Sequence, residues 1–87
     1  MNIPIKNFGQ VLMSRPAGKE AFAFAKAYVF DSLSETENIT LDFDGVKVMT
    51  PSWLDEFIQG IKNNYKNELL YKNTSNESVK ATLEMLG

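Results

Sequence analysis

Leu41 to Phe57 reads LDFDGVKVMTPSWLDEF, and the organisation of the whole chain follows from it. Ile39, Leu41 and Phe43 alternate with Thr40, Asp42 and Asp44, the period of a strand with one buried face. Gly45 interrupts, marking a bulge or bend, after which Val46 and Val48 resume an alternating pattern. Thr50-Pro51-Ser52 then turns the chain, and Leu54, Phe57, Ile58, Ile61 and Tyr65 recur at helical spacing as a core-facing stripe. Where a strand runs into a helix, free backbone N–H groups and the positive end of the helix dipole reach the surface, and an anion or an added phosphate is favoured there. Ser52 is the first candidate functional residue.

Pro51 suits the first helical position and makes Thr50 the natural N-cap, which leaves the Ser52 hydroxyl free of capping duty. The alternative is Ser52 as the cap of an S-x-x-D box with Asp55. On the helical wheel Ser52 lies opposite the apolar stripe, beside Asp55 and Gln59, and is expected to be accessible. A phosphate on it would gain from the dipole and lose to repulsion from Asp55 and Glu56, so it would change a partner surface rather than unfold the domain. An ordinary helix-start serine is the structural alternative. Trp53 sits at the edge of the stripe, either packed inward or serving as a protein-contact anchor.

On the C-terminal side, Asn63, Asn64 and Asn67 end the helix and Glu68 to Lys72 reads as a short strand. Thr74-Ser75-Asn76-Glu77 reads as a capping box opening a last helix with Val79, Leu83 and Leu86 on one face. On the N-terminal side, Ile3 and Ile5 suggest a strand, and Pro4 within it argues for an edge position because proline cannot donate to a ladder. A helix begins near Pro16 and is expected to end around Leu33. Phe22, Val29 and Leu33 share one face of it, while Ala21, Phe24 and Tyr28 lie well round from them. Either the domain wraps both groups or leaves some of the aromatics partly exposed, as proteins often do, or Phe24 and Tyr28 form a second apolar patch for a partner or for self-association. The resulting order is β-α-β-α-β-α, an α/β domain with a small, mostly parallel sheet and helices packed against it.

With 87 residues the chain has room for one domain, residues 1–87, and one core. Eleven acids against nine bases, the bases being eight lysines and Arg15, give a net charge of −2 and disfavour nucleic-acid binding, which needs a basic face. The absence of cysteine excludes disulfides and thiolate chemistry, and the absence of histidine removes the commonest neutral-pH general base and metal ligand. No acid–base pair or Gly-rich phosphate loop is recognisable, so no enzyme, cofactor or metal site is expected. Asp42 and Asp44 point to one side of their strand but lack a third ligand for a divalent cation and read as solvated acids. Arg15 can hold a carboxylate in two-pronged fashion, as a structural ion pair or at a partner surface. With neither a signal pattern nor a membrane-length apolar run, a cytoplasmic protein is expected.

The run ITLDFDGVKVMTPSWLDEFI resembles the STAS domain, the sulfate-transporter and anti-sigma-factor-antagonist fold. It is most similar to the STAS-like bacterial proteins with a DF-x-GV-x-x-x-(T/S)-x-S-(F/W)-x-DE pattern after an N-terminal FG-x-x-L-x-SR. Both patterns occur here, as Phe8-Gly9 with Leu12, Ser14 and Arg15, and as Asp42 to Glu56. The resemblance implies a non-enzymatic regulatory protein-interaction module in the bacterial cytoplasm. In anti-sigma-factor antagonists the serine at the helix start is phosphorylated by a histidine-kinase-like ATPase, which releases the partner; the matching position is Ser52, with Thr50 as the neighbouring candidate. Those antagonists carry Ser-Ser-Gly around the acceptor, where this chain has Pro51-Ser52-Trp53. A kinase of that type or an anti-sigma-like factor would then meet Trp53, Asp55, Glu56, Gln59 and Arg15. The alternatives are a constitutive interaction or homodimer-forming subunit that uses Phe24 and Tyr28, and a small-ligand sensor. No membrane partner is implied.

Overall fold

The computed structural model describes all 87 residues. In chain order the elements are β1 (Asn2–Pro4), β2 (Val11–Leu12), α1 (Arg15–Tyr28), β3 (Ile39–Asp42), β4 (Val48–Met49), α2 (Pro51–Asn64), β5 (Leu69–Lys72) and α3 (Glu77–Leu86). Short 3-10 turns occupy Ile5–Phe8 and Phe30–Ser32. The strands form a parallel three-stranded sheet in the order β1-β3-β5, beside a parallel two-stranded ladder of β2 and β4. The chain is thus the expected α/β domain with a mostly parallel sheet.

The alternation read from Ile39 to Phe43 is realised residue by residue. Ile39, Leu41 and Phe43 are 0–1% exposed and meet the stripe Leu54, Phe57, Ile58 and Ile61 of α2 in one core. In register with them, Asn2, Thr40 and Leu70, then Pro4, Asp42 and Lys72, line the opposite face, which is half-buried to exposed. The sheet is therefore covered on one side only. Strand β1 lies at an edge, as Pro4 requires, because an edge residue needs no outward N–H.

Several local expectations are corrected. Ile5 is fully buried, but it opens a 3-10 turn rather than extending β1. Helix α1 stops at Tyr28, five residues short of Leu33, because the chain tightens after Val29 to turn Phe30 inward, where it is 3% exposed and 5.0 Å from the Tyr65 ring. Val46 and Val48 do not share a face: Val46 and Met49 are buried and Val48 is 40% exposed. The N–H groups of Lys47 and Val48 both donate to the Gln10 carbonyl, at 2.9 and 3.0 Å, so two residues oppose one and the phase shifts. Gly45, at φ 85°, makes the turn that precedes this bulge.

The capping box at Thr74–Glu77 does not form. Asn76 is the N-cap of α3, accepting from the Val79 N–H at 3.0 Å, and its amide group donates to the carbonyls of Val46 and Lys47. That second duty ties the helix start to the approach of β4. Just beyond, the Ser78 hydroxyl accepts from the Met49 N–H and donates to the Met49 carbonyl, both at 2.8 Å, and the Thr82 hydroxyl donates to the same carbonyl. Side chains of α3 thus take the place of a neighbouring strand on the free side of β4, keeping its buried backbone paired.

Candidate functional site

The first turns of α1 and α2 lie side by side. Gly18 and the backbone of Trp53 are in direct contact, and a Cβ at Gly18 would overlap the Trp53 carbonyl. The contact brings the start of one helix, with Ser14 and Arg15, against the start of the other, with Thr50, Ser52, Asp55 and Glu56.

Ser14 caps α1, accepting from the Ala17 N–H at 3.3 Å, and is held at φ 78°, a backbone region that non-glycine residues seldom occupy. One nitrogen of the adjacent Arg15, Nη1, reaches both Asp55 at 2.9 Å and Glu56 at 3.1 Å. These hydrogen bonds hold the guanidinium pKa above its ordinary value, with Asp55 the larger influence. Asp55 and Glu56 are three and four residues beyond Ser52, so on a helix all three lie on neighbouring positions of one face. Arg15 therefore stands over the same face as Ser52, and Lys19 lies with it beside Glu56 in a shallow surface hollow.

Thr50 is the N-cap of α2, but its side chain makes no capping hydrogen bond; its hydroxyl donates instead to the Leu12 carbonyl at 3.3 Å. Ser52 is not the cap. Its hydroxyl is 3.3 Å from that of Thr50 and the residue is half-buried, less open than the helical wheel implies. Gln59 is exposed, two turns further along. Trp53 is turned inward and 2% exposed, stacked on Phe57 with ring centroids 5.4 Å apart and packed near Phe8, so the packing role holds and a rim contact does not. Its place at the stripe edge marked it for either role; the glycine that admits its backbone, Gly18, carries no sequence signal of its own.

Away from this end, Phe24 and Tyr28 are 55% and 72% exposed, with ring centroids 5.0 Å apart, and Phe8 meets Phe24 edge-on. The domain does not wrap both faces of α1. Asp42 faces the open side of the sheet, where it accepts from the Asn73 amide at 2.8 Å, the Asp44 N–H at 3.0 Å and the Asn2 amide at 3.4 Å. These bonds, that from Asn73 foremost, keep its carboxyl below the ordinary value. No group of three or more metal-ligating side chains gathers anywhere in the chain. No helix is long and apolar enough to cross a membrane.

The family model described as a STAS-like domain of unknown function matches residues 25–79. The chain belongs to this STAS-like family. The match begins within α1 and ends at Val79, so it contains the β3 to α2 junction with Thr50, Ser52, Asp55 and Glu56, while Ser14, Arg15 and Gly18 lie before it. No curated protein and no solved structure matches the chain.

Proposed function

We propose that this STAS-like domain is a non-enzymatic regulatory interaction module that meets its partner through the paired helix starts, with Ser52 as a phosphoacceptor. The observation that carries this reading is the Arg15 bridge to Asp55 and Glu56 on the face that also bears Ser52. A phosphate on Ser52 would add charge of about −1.5 to −2 beside two carboxylates that one arginine already holds. It would compete with them for Arg15 and leave Asp55 and Glu56 freed and mutually repelling. A partner docked on Arg15, Asp55, Glu56 and Gln59 would then meet a different charge pattern on an unchanged fold. The kinase expected from the STAS resemblance is a histidine-kinase-like ATPase, and the partner is that kinase or an anti-sigma-like factor.

Peptide mass spectrometry on protein isolated from its own host, with and without phosphatase, tests the reading. A phosphatase-sensitive phosphate on Ser52 supports it, together with loss of partner binding by Ser52→Asp in a folded protein. Modification at Thr50 moves the acceptor by two residues and keeps the switch. An unmodified chain across growth conditions, with equal binding by wild type and Ser52→Asp, sinks it.

The exposure of Phe24 and Tyr28 favours a second reading, a constitutive interaction subunit whose contact is the aromatic face of α1. Phe24→Glu or Tyr28→Glu would abolish binding under that reading and leave it intact under the first.

A further inference from the structure

The two edges of the three-stranded sheet differ. At the β1 edge, Pro4 removes an outward N–H and the chain leaves the sheet at once into a 3-10 turn, two features that blunt an edge against pairing. The β5 edge has neither. Its inward ladder is defined by the Ile39 N–H donating to the Glu68 carbonyl at 2.8 Å and the Phe43 N–H donating to the Lys72 carbonyl at 3.0 Å. Backbone groups alternate in direction along a strand, so residues 68, 70 and 72 face β3, and the N–H and C=O groups of Leu69 and Tyr71 face outward. No loop, side chain or helix of the chain hydrogen-bonds to them.

We propose that the β5 edge is a homodimer interface, in which two copies pair β5 with β5 antiparallel about a two-fold axis at Leu70. In that register Leu69 of one copy faces Tyr71 of the other, so the residues with outward backbone groups exchange both hydrogen bonds. Leu70 meets Leu70, and Glu68 meets Lys72 twice, all at non-hydrogen-bonded positions, where facing side chains come closest. Glu68, Leu70 and Lys72 share the open face of the sheet. In the single chain Glu68 has no charged partner, and Lys72 reaches Asp42 only at 3.9 Å. The sequence Glu68-Leu69-Leu70-Tyr71-Lys72 is therefore complementary to itself when reversed. Moving the axis by one residue to Tyr71 keeps the backbone match but sets Lys72 against Leu70 and leaves Glu68 unpaired. The charges select one register.

The helix side of the edge is suited to the same contact. Tyr71 and Leu86, 42% and 36% exposed, line a hollow of about 230 Å³ with Ile58 and Leu83 between α2, β5 and α3. Leu69 of a second copy would stand opposite Tyr71 at its mouth. The two three-stranded sheets would run on as one. This interface does not rest on the function proposed above and is separate from the aromatic face of α1, but Asp55 and Gln59 line the same hollow, so it borders the partner face.

Charge reversal tests it. Sedimentation of the wild-type chain should show a monomer–dimer equilibrium across a wide concentration range. Glu68→Lys alone and Lys72→Glu alone should each weaken dimerisation by roughly tenfold or more, since each sets like charges opposite. An equimolar mixture of the two variants should restore dimers as a heterodimer in which every facing pair is opposite in sign. Amide exchange at Leu69 and Tyr71 should slow as the wild-type concentration rises. Phe24→Glu should leave the dimer unchanged, and circular dichroism confirms that each variant is folded. A chain that stays monomeric overturns the proposal, as does a dimer that survives both reversals, that the mixture fails to restore, or that Phe24→Glu abolishes.

Discussion

Gly18 and Trp53 touch backbone to backbone, and this contact fixes how closely the starts of α1 and α2 approach. A Cβ at Gly18 would overlap the Trp53 carbonyl and stand 3.0 Å from the Trp53 Cα. Both residues are buried, and the obstacle is main chain rather than a flexible side chain. Gly18→Ala would gain about 1 kcal/mol in helix propensity. The overlap would exceed that gain, because separating two packed helices disturbs the whole aromatic cluster of Trp53, Phe57 and Phe8. The expected net loss is about 1–3 kcal/mol in denaturant unfolding. An alanine variant as stable as the wild type would show that the helices are not held this closely.

Ser78→Ala tests the clamp between α3 and β4. Met49 is 3% exposed, and its N–H donates to the Ser78 hydroxyl. Its carbonyl keeps the Thr82 hydroxyl when Ser78 is removed, but the N–H keeps nothing. An unpaired buried donor costs about 1–3 kcal/mol. Ser78→Ala should be destabilised by that amount, with faster amide exchange at Met49. Unchanged exchange at Met49 would contradict the pairing.

The core and the elements were legible where a single period governs. Ile39, Leu41 and Phe43 carry the strand alternation, and Leu54, Phe57, Ile58 and Ile61 carry the helical stripe; all of them are buried. Legibility failed where a partner distant in the chain decides the local structure. Thr74 and Glu77 have the spacing of a capping box, but Asn76 caps because it can also bind the carbonyls of Val46 and Lys47. The bulge at Lys47 and Val48 exists because the Gln10 carbonyl accepts from both, which no pattern within residues 46–49 records. At the candidate site, Ser52, Asp55 and Glu56 could be placed on one face from spacing alone. The ion pairs from Arg15, some 40 residues away in the chain, required the packing of α1 on α2.

Arg15→Gln separates that electrostatic link from the fold. Arg15 is exposed and holds two adjacent carboxylates that otherwise repel. Exposed ion pairs contribute little to stability and are screened by salt. The variant should melt slightly below the wild type at low ionic strength, and the difference should vanish in high salt. A large, salt-independent loss would mean that Arg15 also supports the Gly18–Trp53 contact through packing.

Asp42 makes the stability of the open sheet face depend on acid. Its folded pKa lies below the ordinary value of 3.8, held there first by the Asn73 amide, then by the Asp44 N–H, the Asn2 amide and the nearby Lys72 charge. A carboxyl whose pKa is lower in the folded chain binds protons more readily when unfolded, so its contribution is complete above the unfolded value and is lost as pH falls through the folded one. Asp42→Asn keeps an acceptor for Asn73 and Asp44 but removes the titration. The variant should be less stable than the wild type at neutral pH, and the gap should close as pH falls below about 4. Thermal melts of both proteins from neutral pH into that range measure it directly. A gap that persists unchanged through the acid range would show that the Asp42 carboxylate is no better stabilised in the folded chain than in the unfolded one.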